Sequence, residues 1–111
     1  MATLFTRIID GEIPSDRVYE DALCVAFRDI NPSAPLHVLV VPRKPLPQLD
    51  DMTEEDEPLV GHLLRVAAQV AHAEGYEDFR IAINNGAGAG QSVFHLHVHV
   101  IAGRPLHWPP G

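Results

Sequence analysis

The first apolar positions of the chain, Leu4, Phe5, Ile8 and Ile9 in "TLFTRIIDGEIP", recur at helical spacing and stop at Asp10-Gly11. That spacing predicts a short helix ended by a glycine. After Pro14 the pattern changes. "RVYED" and "CVAFRDI" flank the turn-prone "EDA" and predict two strands, and "HVLVVP" predicts a nearly continuous apolar strand closed by Pro42. In "MTEEDEPLVGHLLRVAAQVAHAEGY" the period returns to 3.6: Leu59, Leu63, Val66, Ala67 and Val70 form one apolar stripe. Thr53 or Asp56 suits the cap of this long helix, Pro58 fits only near its first turn, and Gly75 ends it. "FRIAINN" and "SVFHLHVHVIAG" then predict strands joined by the loop "NGAGAGQ". Short connections and one long helix predict an α+β fold, an antiparallel sheet of about five strands with one long and one short helix.

The final strand carries the chemistry. Side chains alternate across a strand, so His95, His97 and His99 are expected on one face, with Phe94, Leu96, Val98 and Val100 on the other, packed against the long helix. The histidine face is left to line something polar.

Composition narrows the setting. A chain of 111 residues is expected to be one domain over residues 1–111, with a core small enough that self-association into a homodimer would help it. The net charge is -7, from 8 basic and 15 acidic residues, and the basic ones are scattered rather than striped. That pattern argues against a nucleic-acid backbone binder, without excluding one small anion held by local dipoles. The acidic run Asp50 to Glu57 reads as a solvated helix start. The single cysteine, Cys24, precludes an intrachain disulfide and reads as a small buried side chain. The N-terminus has no basic start followed by a long apolar run, and no stretch approaches a membrane span, so a cytoplasmic protein without a membrane partner is expected.

Three imidazoles beside a glycine-rich loop admit three readings: surface residues, a metal site, or a nucleophile acting on phosphorus. Strict alternation weakens the first. For the second, backbones four residues apart on a strand are separated by roughly 13 Å, and zinc bonds of about 2 Å let all three ligate one ion only if the strand curls sharply. A pair joined by His37, at the start of another strand, would still manage it. In the third, a neutral imidazole attacks phosphorus and divides one difficult displacement into two easier ones. Gly86, Gly88 and Gly90 would let backbone N–H groups converge on the anion, with Asn84 and Ser92 adding side-chain donors. His62 and His72, on the long helix, are assigned no role.

With these features together, the chain resembles the histidine triad (HIT) nucleotide-binding proteins of the phosphoramidase branch. The resemblance rests on "IIDGEIP", "YEDALCVAFRDINPSAPLHVLVVP", "NNGAGAGQSVFHLHVHVIAGR" and the terminal "HWPPG", nearly the whole chain. It implies a HIT-like fold, a symmetric dimer that extends the sheet, and hydrolysis of purine nucleoside 5'-phosphoramidates such as AMP-amines through a nucleotidyl-histidine intermediate, with no cofactor and no metal. By motif position it implies His97 as the nucleophile, His95 and His99 as its neighbours, and His37 as the buried support of the third. It also implies Asn84, Gly90 and Ser92 at the α-phosphate, Phe5, Ile8, Phe27 and Ile30 around the base, Asp29 at the ribose hydroxyls, and Trp108 docking near the neighbouring site of a dimer. Pro45 stands where many relatives have histidine, and "GAGAG" lacks the acidic or hydroxyl side chains of some relatives, which leaves the leaving group open. The alternatives are a nucleotide-binding or protein-interaction module with incidental hydrolysis, and a dinucleoside polyphosphate hydrolase.

Overall fold

The computed structural model describes residues 2–111. The short helix α1 spans Leu4–Ile9, where Thr3 accepts from the Thr6 backbone N–H, and the chain turns out of it at Gly11 with φ 80°. Strands β1 (Arg17–Glu20), β2 (Cys24–Arg28) and β3 (Leu36–Pro42) follow. The long helix α2 covers Glu57–Ala73, and β4 (Arg80–Ala82) and β5 (Val98–Ala102) complete the chain. The five strands form one sheet in the order β1-β2-β3-β5-β4, with every neighbouring pair antiparallel. This is the α+β architecture that the hydrophobic pattern predicts.

The alternation of side chains divides the sheet into two unlike faces. Ala26, Val38, Val40, Val98 and Val100 point to the face covered by α2, where they meet Leu63, Val66 and Val70. Each of these valines and Leu63 contributes about 1.5–3 kcal/mol when fully withdrawn from water, which is what holds the amphipathic helix on the sheet. Val25, Phe27, Leu39 and Val41 point to the opposite face and pack with Phe5 and Ile8 of α1. Since β2 and β3 are covered on both sides, their sequences read as continuous apolar runs instead of an alternation.

Element ends depart from the sequence expectation in two places, at β4 and β5, whereas the long helix starts at one of its two expected caps, Asp56: Glu54–Asp56 forms a 3-10 turn, closed by a capping box between Thr53 and Asp56, and α2 begins at Glu57 with Pro58 in its first turn. There the missing proline N–H has no helical partner to lose. The strand expected from Phe79 contracts to three residues. Most consequentially, β5 begins only at Val98, so His95 and His97 precede the sheet ladder. Among the described residues no helix is long and apolar enough to cross a membrane.

Candidate active site

The segment entering β5 is extended but bonded to non-strand partners. Leu96 N–H donates to the Leu46 carbonyl at 2.7 Å, and His95 Nε2 lies 2.7 Å from the Pro42 carbonyl oxygen. His95 is therefore almost fully buried, at 1% exposed against 7% for His97. A carbonyl only accepts, so Nε2 of His95 carries the proton, and its Nδ1 is a buried acceptor with no partner among the described residues. Phe94, expected on the core face, is 45% exposed. The apolar face that does pack under α2 begins at Leu96 and continues through Val98 and Val100.

Two further backbone groups assign the remaining tautomers. His97 Nδ1 sits 2.8 Å from the His95 carbonyl oxygen, so Nδ1–H donates there and the lone pair of the neutral ring is on Nε2. The Ser33 backbone N–H donates to His37 Nδ1 at 3.0 Å, which leaves the proton of His37 on Nε2. That Nε2–H faces His99 Nδ1 at 2.9 Å, so the His99 proton resides on its own Nε2. Cross-strand register makes the His37–His99 pair possible: Leu39 lies opposite His99 and His37 opposite Ile101, on the same face of β3 and β5. The rings of His97 and His99 meet edge to face at 5.0 Å between centroids, and Phe5 stands edge-on to His97 at 4.9 Å. One imidazole thus offers a lone pair beside another that offers an N–H.

Both rings line a cavity of about 300 Å³, the low end of the range for small-ligand sites. Of the residues singled out in the sequence, Phe5, Ile8, Phe27, Asp29, Ile30, Ser92, His97 and His99 reach its wall. Ile30 does so from the rim and is 91% exposed. Asp29 is held by three contacts. Its N–H donates to the His37 carbonyl, Oδ1 accepts from Asn31 N–H at 2.8 Å, and Oδ2 lies 3.5 Å from His37 Nε2. His37 and His95 sit behind the wall. Asn84 and Gly90 adjoin each other outside it, with Gly90 at φ 100°. Trp108 is 83% exposed and away from the cavity of its own chain.

Of the three glycines expected at the anion, Gly86 and Gly90 bond their N–H groups within the loop itself. Ala89, Gly90 and Gln91 donate their N–H groups back to Gly86 and Ala87 in a tight 3-10 turn, and Gly86 N–H donates to Gln91 Oε1. Gln91, overlooked in the sequence, is the buried staple of this loop, and its amide also donates to the Pro47 and Val93 carbonyls. The glycines make the turn possible and deliver Ser92 and Val93 to the cavity edge. Ile13, Pro14, Ser15 and Leu39 were overlooked as well, being single positions in a loop or an apolar strand without chemistry to mark them.

Burial sets the electrostatics. It pushes His95 and His97 below the ordinary imidazole value, and drives His99 down to about 4 with help from His97 and His37. Below about pH 6.5 an unfolded chain takes up protons that these buried rings refuse, so folding stability is expected to be level above that pH and to fall as pH drops toward 4. Turnover that depends on neutral His97 should likewise show an acid limb below pH 6.5 in a kcat/KM profile. A limb centred at or above that value would show that burial does not hold His97 neutral.

Two clusters bring metal-type donors within 4.8 Å of one another: Asp29, His37 and His99 at the cavity, and Asp21, Cys24 and His62 on the α2 face. In the first, an ion would have to replace the His37–His99 hydrogen bond, and His95 cannot join it. The second is a closed structural node. The Asp21 carboxylate accepts from the Leu23 and Cys24 N–H groups, the Tyr19 hydroxyl and His62 Nε2–H. Burial raises its pKa, but these donors together hold it well below the usual carboxylate range. Burial pushes the Cys24 thiol up to about 12, so it is no nucleophile.

A five-stranded antiparallel sheet with alternating histidines leading into its last strand at a small apolar cavity defines a class of protein, and comparison with known proteins identifies it. The HIT domain model matches residues 10–106, and the chain belongs to the HIT family. It is 59% identical over 110 residues to an uncharacterized HIT-like protein of Synechocystis, covering 98% of this chain and 96% of that one. Among solved structures, a HIT family hydrolase from Legionella pneumophila superposes with a TM-score of 0.96 at 41% identity, covering 99% of this chain and all of the other. A histidine triad protein from Clostridium difficile gives 0.90 at 42% identity, covering 94% and 92%.

Proposed function

We propose that the protein hydrolyses purine nucleoside 5'-phosphoramidates, AMP joined to an amine or a related adenylate, through a nucleotide transiently bonded to His97. The observation that carries this reading is the tautomer of His97: its Nδ1–H is held by the His95 carbonyl, so the neutral ring keeps its lone pair on Nε2 at the cavity wall. In the first step His97 Nε2 bonds to the α-phosphorus, the P–N bond breaks, and the amine departs with a proton drawn from solvent, which the attacking water of the second step gives back. In the second, water attacks the same phosphorus, the Nε2–P bond breaks, and AMP is released. The His95 carbonyl accepts from Nδ1–H throughout and stabilises the charge that develops on the ring. His99 Nε2–H is a donor for a phosphoryl oxygen, and Ser92 at the loop edge is a second.

The remaining wall suits a nucleoside. Phe5, Ile8, Phe27 and Ile30 provide an apolar slot for a flat base, and Asp29 can accept from both ribose hydroxyls. Kinship with a HIT family hydrolase supports hydrolysis as the reaction type. The test compares an adenosine phosphoramidate with a dinucleoside polyphosphate, each with and without chelator. Faster turnover of the phosphoramidate, unaffected by chelator, is expected. Preference for the polyphosphate would move the protein to the other hydrolase class, loss of turnover with chelator would favour metal, and tight nucleotide binding without turnover on either would favour a binding module.

The exposed Trp108 and the short edge strand β4 support a homodimer as the working form, in which the C-terminal segment of one copy reaches the site of the other. Sedimentation at micromolar concentration should show a dimer, and a monomer alone would count against it.

A further inference from the structure

We infer that Arg104 is a positioning residue, which sets the tautomers of His37 and His99 by holding the turn that carries Ser33. This rests on the proposed role of the cavity histidines and adds a residue that touches none of them. Arg104 lies just beyond β5, and its Nε–H donates to the Ser33 carbonyl at 2.8 Å. A second guanidinium N–H donates to the Pro105 carbonyl at 3.0 Å, which fixes the side chain over its own backbone. The other polar backbone group of Ser33, its N–H, is the donor to His37 Nδ1. One residue is thereby clamped by the arginine at one end and directs an imidazole at the other.

The turn is prepared for this clamp. Pro32 and Pro35 flank the Ser33–Ala34 pair and fix φ at both ends of the turn. Gly103, at φ 98°, lets β5 leave the sheet directly against Pro35, and a Cβ there would fall 2.8 Å from the Pro35 Cβ. Gly103 thus seats the turn by close approach and Arg104 secures it by a hydrogen bond. Beyond His37 the chain of bonds has no slack: His37 Nε2–H must donate for His99 Nδ1 to accept, and only then does His99 present N–H to the cavity. Released from Ser33, His37 keeps only the Asp29 carboxylate, 3.5 Å from Nε2, to favour its Nε2–H tautomer, and can carry its proton on Nδ1. His99 would then lose its donor and could turn an acceptor toward the phosphoryl oxygens.

The test is Arg104→Met, which keeps the aliphatic stem and removes the donors, beside Arg104→Lys, which restores one. Long-range 1H–15N spectra of histidine-labelled protein report which ring nitrogen carries each proton. In the wild type His37 should show a bare Nδ1 and a protonated Nε2. In Arg104→Met the His37 and His99 signals should move toward a mixture of tautomers. The kcat for the phosphoramidate should fall between about 10- and 100-fold with KM little changed, as for a misplaced group remote from the chemistry. Arg104→Lys should recover most of both effects. Wild-type tautomers in Arg104→Met overturn the inference, whatever the turnover. Since the spectra need no substrate, a wild type that fails to turn over phosphoramidates would sink the functional reading and leave this test intact.

Discussion

Replacing His97 with alanine should abolish measurable phosphoramidate turnover, a loss on the order of 10³-fold or more, while the fold and nucleotide binding persist. The asymmetry follows from what His97 touches. Among the described residues the one hydrogen bond of its side chain is to the carbonyl of His95, two residues away, so no distant element is held in place by it. The ring packs edge-on with Phe5 and His99, and its removal enlarges a site that is already a cavity. Affinity for AMP, measured by calorimetry, should therefore change little as kcat collapses. Turnover at the wild-type rate would remove His97 from the reaction, and joint loss of binding and folding would mean the ring is structural.

The second large effect is expected at Phe5, where stability and activity meet. Its ring is 5% exposed and stands edge to face with Phe27 at 5.6 Å and with His97 at 4.9 Å. It is the main anchor of a six-residue helix, which cannot persist without tertiary packing. Phe5→Ala should cost about 3 kcal/mol, toward the lower end for a buried phenylalanine because one side of the ring already borders the cavity. Thermal or urea denaturation reads that loss directly. KM for the adenosine substrate should rise at the same time, as Phe5, Ile8 and Leu4 of α1 all belong to the cavity wall. A variant as stable as the wild type would show that α1 is held chiefly by its polar ties, including the Arg17 guanidinium on the Ile8 and Ile9 carbonyls.

The elements most legible in the sequence were those whose burial imposes a period. The stripe Leu63, Val66, Ala67 and Val70 is buried as its 3.6 spacing predicts, and the continuous runs of β2 and β3 mark strands covered on both faces. The histidine strand was only half legible. Alternation of residue types survives in an extended segment whether or not it pairs with a strand, and residues 95–97 bond instead to Pro42 and Leu46. His95 consequently turns into the core while His97 and His99 keep the cavity.

Composition was also a poor guide to direction. Glycines at 86 and 90 permit positive φ, but nothing in their identity says where the neighbouring N–H groups aim, and buried Gln91 turns the loop inward. The pairing of His37 with His99 spans 62 positions and depends on the register of β3 against β5, which local pattern does not encode. Family resemblance pointed to that pair, and the tautomers come from Ser33 N–H and the His95 carbonyl.

The most direct test of the central claim is to find where the nucleotide sits during turnover. Wild-type protein mixed with an adenosine phosphoramidate and quenched within a turnover at alkaline pH, where a phosphorus–nitrogen bond to imidazole survives, can be digested and read by mass spectrometry. Adenylate on the peptide containing His97, localised to that ring and missing in His97→Ala, is the expected result. Turnover with no adduct on any residue, or adenylate on a residue other than His97, would contradict a mechanism built on its free Nε2.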